Sequence, residues 1–177
     1  MIHYSIAFDL NKNIGVAYNS TMRLLGGDDW CCFVDGDSMF LTPYFGRQIN
    51  EYVNRNPECG LFTCKTNRVR ADYMLAGDWM YDDVVYHRHV AHELSSDLSV
   101  TDITELAHSS PLSGVLMLVS RKAWAQVGGF KEAGMLGVDN DMHRRMRDAG
   151  LKVYMMNGVY VYHWYRGGNR QDVSHLM

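Results

Sequence analysis

Apolar and polar residues follow one another along the chain in blocks that predict alternating strands and helices. Short apolar or alternating runs predict strands at residues 3–9, 30–34, 61–66, 113–120 and 151–162. Apolar residues at helical spacing predict helices at residues 14–25 and 44–54, and closing glycines indicate a short helix at 121–127 and a charged helix at 139–149. Each helix stops just before a glycine or a proline-containing turn. This alternation indicates an α/β fold, in which helices flank a sheet.

Residues 67–110 lack this regularity. They are polar and rich in Asp and His, without a clear linker or internal repeat. We expect an irregular, mobile or substrate-facing insertion. His89 and His92 share a face if the segment is helical, but no cysteine or acid at a suitable spacing completes a zinc site. By location alone, candidates for substrate recognition in this segment are Asn67, Arg68, Asp82 and Asp83.

Composition narrows the class of protein. The chain has 177 residues, of which 47% are hydrophobic, so it is long enough for one domain over residues 1–177 with a real core. A net charge of -3 argues against nucleic-acid binding through a basic surface. No apolar run approaches the length of a membrane span, and the first residues lack the features of a signal peptide. We therefore expect a soluble, cytoplasmic protein.

The four cysteines do not have the spacing of a zinc site. Cys31 and Cys32 are adjacent on a predicted strand, where their side chains point to opposite faces, and Cys59 and Cys64 follow separately. We expect all four to be buried free thiols, as is common in reducing compartments.

The strongest candidate for chemistry is Asp35-Gly36-Asp37, directly after the apolar run at residues 30–34. Ligands of open α/β sheets bind beyond the carboxyl ends of strands, and carboxylate oxygens are the ligands that Mg²⁺ or Mn²⁺ prefers. Asp and Gly are equally typical of a tight turn. Taken alone, the motif fits either a metal site or a turn.

Four segments carry a more specific pattern: Asn13–Asn19, Asp35–Asp37, Trp124–Phe130 and Val138–Val153. The last two resemble the "W..vGGF" turn and the "ED.D…R…aGy.v" helix of GT-A glycosyltransferases of family 2. The first resembles the family's "N.G.a.aRN" segment, and the second has the position of its DxD motif. The segments follow in the family's order, and the resemblance covers about residues 11–166.

The resemblance implies a single minimal GT-A domain, with a Rossmann-like mixed sheet flanked by helices. Family members usually carry two further strands, with the nucleotide-base pocket, before the segment that begins here at Asn13. We therefore expect a truncated nucleotide-binding half, for which Asp9 is a candidate base contact or a plain loop residue. An exposed sheet edge favours self-association that completes the sheet.

The family also implies a metal and a nucleotide sugar. Asp37 and the strand-end His163 match ligands of an Mn²⁺ or Mg²⁺ ion that bridges the diphosphate, and Asp35 contacts this ion through water or faces the ribose. The residues that match donor-binding positions are Asp35, Gly36, Asn13, Gly15, Asn19 and Arg166.

Asp139 matches the second acid of the "ED" pair and, by resemblance, is the general base for the acceptor hydroxyl. Val138 replaces the first acid and so removes a neighbouring charge. From the residues alone, Asp139 and Asp141 also fit as favourable charges at a helix N-terminus. The residues that match acceptor- or sugar-binding positions are Ser113, Gly114, Asn140, Asp141, Trp164 and Tyr165.

These observations predict a metal-dependent, inverting glycosyltransferase that moves a hexose or N-acetylhexosamine from a UDP-linked donor to an acceptor hydroxyl. One alternative is an inactive GT-A module that binds a sugar nucleotide or a glycan, which the short amino-terminal half and Val138 favour. A nucleotidyltransferase also combines an α/β sheet with metal-binding acids, but the Gly-Gly-Phe and Asp-Asn-Asp motifs count against it. No pattern in the chain identifies the donor sugar or the acceptor.

Overall fold

The computed structural model describes residues 1–79, 81–97 and 102–165. The strands are β1 Ile2–Ser5, β2 Trp30–Val34, β3 Ser38–Phe40, β4 Cys59–Thr66, β5 Ile103–Glu105, β6 Leu116–Ser120 and β7 Lys152–His163. The helices are α1 Ile14–Arg23, α2 Phe45–Arg55, α3 Val84–Asp97, α4 Arg121–Gln126 and α5 Val138–Asp148, and a 3-10 turn spans Asp72–Met74. Among the described residues, no helix has the length and apolar character needed to cross a bilayer.

Within the described residues, the strands form one mixed sheet, which confirms the predicted α/β class. The strand order is β1-β2-β6-β4-β7-β3, and β5 pairs with β7. β1 runs parallel to β2, whereas β6 is antiparallel to both β2 and β4, and β3 is antiparallel to β7. Val34 pairs with Leu116, so the carboxyl end of β2 lies beside the amino end of β6.

The chain groups into two compact units. The first comprises residues 1–36, 58–63 and 105–154, and the second comprises residues 37–57, 64–104 and 155–177. In the first unit, the rings of Tyr18, Phe33 and Phe130 pack against one another, with centroids 4.5 to 5.8 Å apart. In the second unit, α3 and β7 share a core of Val90, Ala91, Tyr160 and Tyr162. The single domain over residues 1–177 stays a prediction.

The prediction of an irregular segment over residues 67–110 is wrong for α3. The buried stripe of this helix runs through His87, Val90 and Ala91, and a histidine at a core position hides the apolar pattern of the sequence. Asp83 caps the helix, because its Oδ1 accepts a 2.8 Å hydrogen bond from the Val85 N–H. This segment is therefore a capped helix.

All four cysteines are buried and free, which confirms the prediction of structural thiols. Burial raises the pKa of Cys31 to about 12 and also raises the pKa values of Cys59 and Cys64. A protonated, buried thiol is chemically inert, so these side chains contribute to packing.

Candidate functional site

Two carboxylates and an imidazole come together after the ends of β2 and β7. Asp35, Asp37 and His163 each offer one ligand atom, and these atoms lie within 4.8 Å of one another. Nε2 of His163 lies 3.4 Å from Oδ1 of Asp37. The sequence predicted these three residues as metal ligands, and the fold brings them close enough to share one ion.

Main-chain pairing places Asp37 beside His163. Ser38 on β3 pairs with His163 on β7, and the Trp164 N–H donates a 2.9 Å hydrogen bond to the Asp37 carbonyl. The sequence did not predict β3, because a three-residue strand leaves too short a pattern to detect. This short strand fixes the main-chain position of Asp37.

The hydrogen bonds of His163 determine which ring nitrogen can bind a metal. Nδ1 lies 2.8 Å from the Arg68 carbonyl, and because a carbonyl only accepts, Nδ1 carries the proton in this bond. In the neutral ring, Nε2 then carries the lone pair, and this nitrogen lies on the side of Asp37. A neutral imidazole nitrogen with carboxylate oxygens is a donor set that fits a divalent ion.

Asp139, the predicted base, lies in the first turn of α5. Its Oδ2 accepts a 2.9 Å hydrogen bond from the Gly114 N–H, and its Oδ1 accepts a 2.8 Å bond from the Asn140 N–H. The Asn140 amide binds both the N–H and the carbonyl of Leu112, each at 2.9 Å. The two neighbours of Ser113 are thereby hydrogen-bonded to α5. Three residues predicted to bind the acceptor therefore lie next to Asp139 or next to its partners: Ser113, Gly114 and Asn140.

Asp35 is connected to the same segment within the first unit. Its N–H donates a 3.1 Å hydrogen bond to the Val115 carbonyl. The pKa of buried Tyr18 is raised by burial first, and then by the charges of Asp35 and Asp139. Sequence reasoning missed Tyr18, because a single tyrosine on a predicted helix carries no pattern of its own.

The carboxylate of Asp141 forms an ion pair with Arg145 on the same helix. Nε and Nη2 of Arg145 donate to Oδ2 of Asp141 at 2.8 and 2.6 Å, and Nη1 donates to the Val127 carbonyl at 2.7 Å. These bonds tie α5 to the turn that follows α4. An acceptor contact by Asp141 stays a prediction. Val138, at the place of the family acid, is buried.

Asn19 is held by protein groups at all of its amide positions. Oδ1 accepts from Nε1 of Trp124 at 2.9 Å and from the Phe130 N–H at 2.8 Å. Nδ2 donates to the Phe130 carbonyl at 2.9 Å and to Oε1 of Glu132 at 2.8 Å. In this structure Asn19 fixes the Gly-Gly-Phe turn against α1, and its donor role stays a prediction.

At the start of α1, Gly15 lies close to the main chain at Lys131, and Asn13 has a side-chain oxygen without a partner among the described residues. A Cβ added at Gly15 would overlap the Lys131 carbonyl oxygen, so only glycine fits there. Oδ1 of Asn13 is buried without a hydrogen-bond partner among the described residues. Oδ1 of Asp9 accepts from the N–H groups of Asn11 and Asn13, at 2.9 and 3.0 Å, which is a loop role.

The remaining predicted residues flank the metal candidates. Gly36 is exposed between the two acids. Trp164 is 47% exposed, and the Tyr165 ring meets the His163 ring edge-on at 5.2 Å. Arg166 lies outside the described residues.

A mixed sheet flanked by helices agrees with the GT-A fold that the four motifs predicted. A sequence model of the family described as "Glycosyltransferase like family 2" matches residues 12–172, so the chain belongs to that family. This match confirms the resemblance found in the four motifs. A search of curated proteins finds no match.

Proposed function

We propose that the protein is a metal-dependent, inverting glycosyltransferase that moves a hexose or N-acetylhexosamine from a UDP-linked donor to an acceptor hydroxyl. The observation that carries this proposal is the grouping of Asp35, Asp37 and His163 in a chain of this family. These residues would hold Mn²⁺ or Mg²⁺, for which carboxylate oxygens are suitable ligands. Such an ion neutralises charge on a diphosphate leaving group.

Asp139 is the proposed general base. As the acceptor oxygen attacks the anomeric carbon, the bond from that carbon to the diphosphate oxygen breaks and the hydroxyl proton passes to the carboxylate. A single displacement of this kind inverts the anomeric centre. Asn140 donates to Oδ1 from both its N–H and its Nδ2, whereas Oδ2 accepts from the Gly114 N–H, so Oδ2 is the oxygen with acceptor capacity left for the incoming hydroxyl.

The test is nucleotide release from UDP-sugars in the presence of Mn²⁺. We expect Asp139→Asn to lower turnover by about 10²- to 10⁴-fold, because the amide cannot accept the proton. Asp37→Asn should weaken Mn²⁺ binding as well as turnover. Asp28→Asn, at an exposed position, is the matched control. Undiminished turnover in both site variants would remove the assignment.

Two other results would replace this proposal. UDP binding without hydrolysis or transfer across a broad acceptor panel would support a binding module, which the buried valine at position 138 favours. Pyrophosphate release from a nucleoside triphosphate would support a nucleotidyltransferase.

We also propose that two copies of the chain associate along β1. This strand lies at one end of the strand order in the described part of the chain, and proteins usually cover such an edge. Light scattering across a range of protein concentrations tests this, and a monomer at every concentration would contradict it.

A further inference from the structure

One arginine of the second unit binds several main-chain groups around His163. The Arg68 side chain is only 9% exposed. Its guanidinium donates to the carbonyls of Trp79, Tyr81 and Trp164, at 2.6, 3.1 and 3.1 Å. It also donates to Oδ1 of Asp82 at 2.6 Å. The Arg68 side chain therefore joins Trp79, Tyr81 and Asp82 to the residue that follows His163.

The main chain beside this guanidinium holds His163 itself. The Arg68 carbonyl accepts the Nδ1 proton of His163, and Oδ1 of Asn67 accepts the His163 N–H at 2.7 Å. Asn67 and Arg68 thus fix the ring, the main chain and the following residue of one proposed metal ligand. The sequence suggested these two residues for substrate recognition, but the hydrogen bonds described here are to protein groups.

We propose that Arg68 is a positioning residue, which keeps Nε2 of His163 available to a divalent cation and holds Trp164 beside it. This inference rests on the proposed function, because it needs His163 to be a metal ligand. Partners that orient a ligating histidine fix its tautomer and its direction, and their loss weakens metal binding. The planar guanidinium suits this task, because it donates in several fixed directions at once.

A lysine cannot reproduce this arrangement, because its single ammonium group has three donors and no planar fork. Arg68→Lys nevertheless keeps the positive charge beside Asp82. The segment also has anchors that do not involve Arg68, since the Tyr81 carbonyl accepts from Nε2 of His87 at 2.9 Å. The Tyr162 hydroxyl donates to Oδ1 of Asp82 at 3.4 Å. We therefore expect Arg68→Lys to fold.

The first measurement is the tautomer of His163 in the metal-free protein, read from ¹⁵N NMR of the imidazole nitrogens at alkaline pH. We expect the wild-type protein to show protonated Nδ1 as a single species. Arg68→Lys should show a mixture of tautomers, because the main chain at Arg68 is no longer held. Arg88→Lys, at an exposed position on α3, is the matched control and should match the wild-type protein.

The second measurement is Mn²⁺ affinity from electron paramagnetic resonance. We expect Arg68→Lys to bind Mn²⁺ about 10- to 100-fold more weakly than the wild-type protein, with Arg88→Lys unchanged. Arg68→Met repeats both measurements without the charge. A wild-type tautomer and a wild-type affinity in Arg68→Lys would overturn this inference. A wild-type protein that bound no Mn²⁺ would instead overturn the proposed function. The tautomer is read without metal, so that measurement still tests whether Arg68 positions the His163 ring.

Discussion

Each of the two units buries a histidine on a helix, and the two histidines differ in their partners. His87 on α3 and His143 on α5 are both fully buried. Nε2 of His87 donates to the Tyr81 carbonyl, and Nδ1 lies 2.7 Å from the Tyr160 hydroxyl, from which it accepts. Neither ring nitrogen of His143 forms a well-oriented hydrogen bond among the described residues, although the Ser110 backbone interacts with the ring and favours its protonated form.

The comparison teaches that burial alone does not decide what a polar side chain contributes to stability. His87 links α3 to β7, whereas His143 carries the cost of desolvation without well-oriented hydrogen bonds. His143 lies one turn after Asp139, so this cost falls on the helix that carries the proposed base. A buried polar group without hydrogen bonds is unusual in a native structure and often marks a functional region. The position of His143 on the helix that carries Asp139 agrees with this.

The largest expected effect is a loss of stability on acidification. Burial, followed by the nearby Arg147 guanidinium, lowers the pKa of His143 from 6.5 to about 4, and the backbone of Ser110 only partly opposes this. The unfolded chain therefore takes up a proton before the folded protein does. Between these two pKa values the free energy of unfolding should fall by up to about 3 kcal/mol as the pH falls.

Burial also lowers the pKa of His87, so this residue likewise lowers the free energy of unfolding as the pH falls. Denaturant unfolding followed by circular dichroism at several pH values between neutral and about pH 4 measures this loss. A free energy of unfolding that stayed constant over this interval would contradict the prediction.

His87→Leu is expected to destabilise the protein by about 1–3 kcal/mol, because it leaves the Tyr160 hydroxyl and the Tyr81 carbonyl without this partner. Denaturant unfolding at neutral pH is the measurement. His92→Leu is the matched control, since His92 is exposed on the same helix and should change the free energy by no more than about 0.5 kcal/mol.

Replacement of His143 by leucine should stabilise the protein, whereas His87→Leu should destabilise it. His143→Leu replaces a buried ring without well-oriented hydrogen bonds by an apolar side chain, so we expect a gain of about 1–2 kcal/mol at neutral pH. The variant should also lose less stability on acidification than the wild-type protein. Equal destabilisation by His87→Leu and His143→Leu would remove the distinction between the two histidines.

The smallest effect is expected from Tyr160→Phe, which removes one hydrogen bond to His87 and should cost about 0.5–1.5 kcal/mol. Combined with His87→Leu, it should cost less than the sum of the two single changes, because both remove the same bond. Strict additivity in this double-mutant cycle would show that the Tyr160 hydroxyl does not stabilise the protein through His87.

The sequence predicted the elements that have a clear pattern. α2 was found because its apolar residues have helical spacing and it stops before Asn56-Pro57, and β2 was found because its whole run is apolar. α3 was missed because His87 occupies one of its core positions. Periodicity counts apolar residues, so a buried histidine with hydrogen-bond partners is invisible to it.

The candidate site was predictable as motifs but not as contacts. Asp35, Asp37 and His163 were found from an acidic pair and a strand-end histidine, and the fold brings them together. The bonds of Arg68 could not be predicted, because its carbonyl partners extend from residue 79 to residue 164 and leave no trace in side-chain identity. Contacts with main-chain groups have no sequence pattern of their own.

The bonds of Asn19 make the order of synthesis matter for folding. Its amide partners lie 105 to 113 positions later in the chain, at Trp124, Phe130 and Glu132. While a ribosome makes the chain, α1 must wait until residue 132 has emerged before this buried amide can be paired. A fragment that ends before Trp124 leaves the amide without any of these partners, so such a fragment should be a good substrate for proteases.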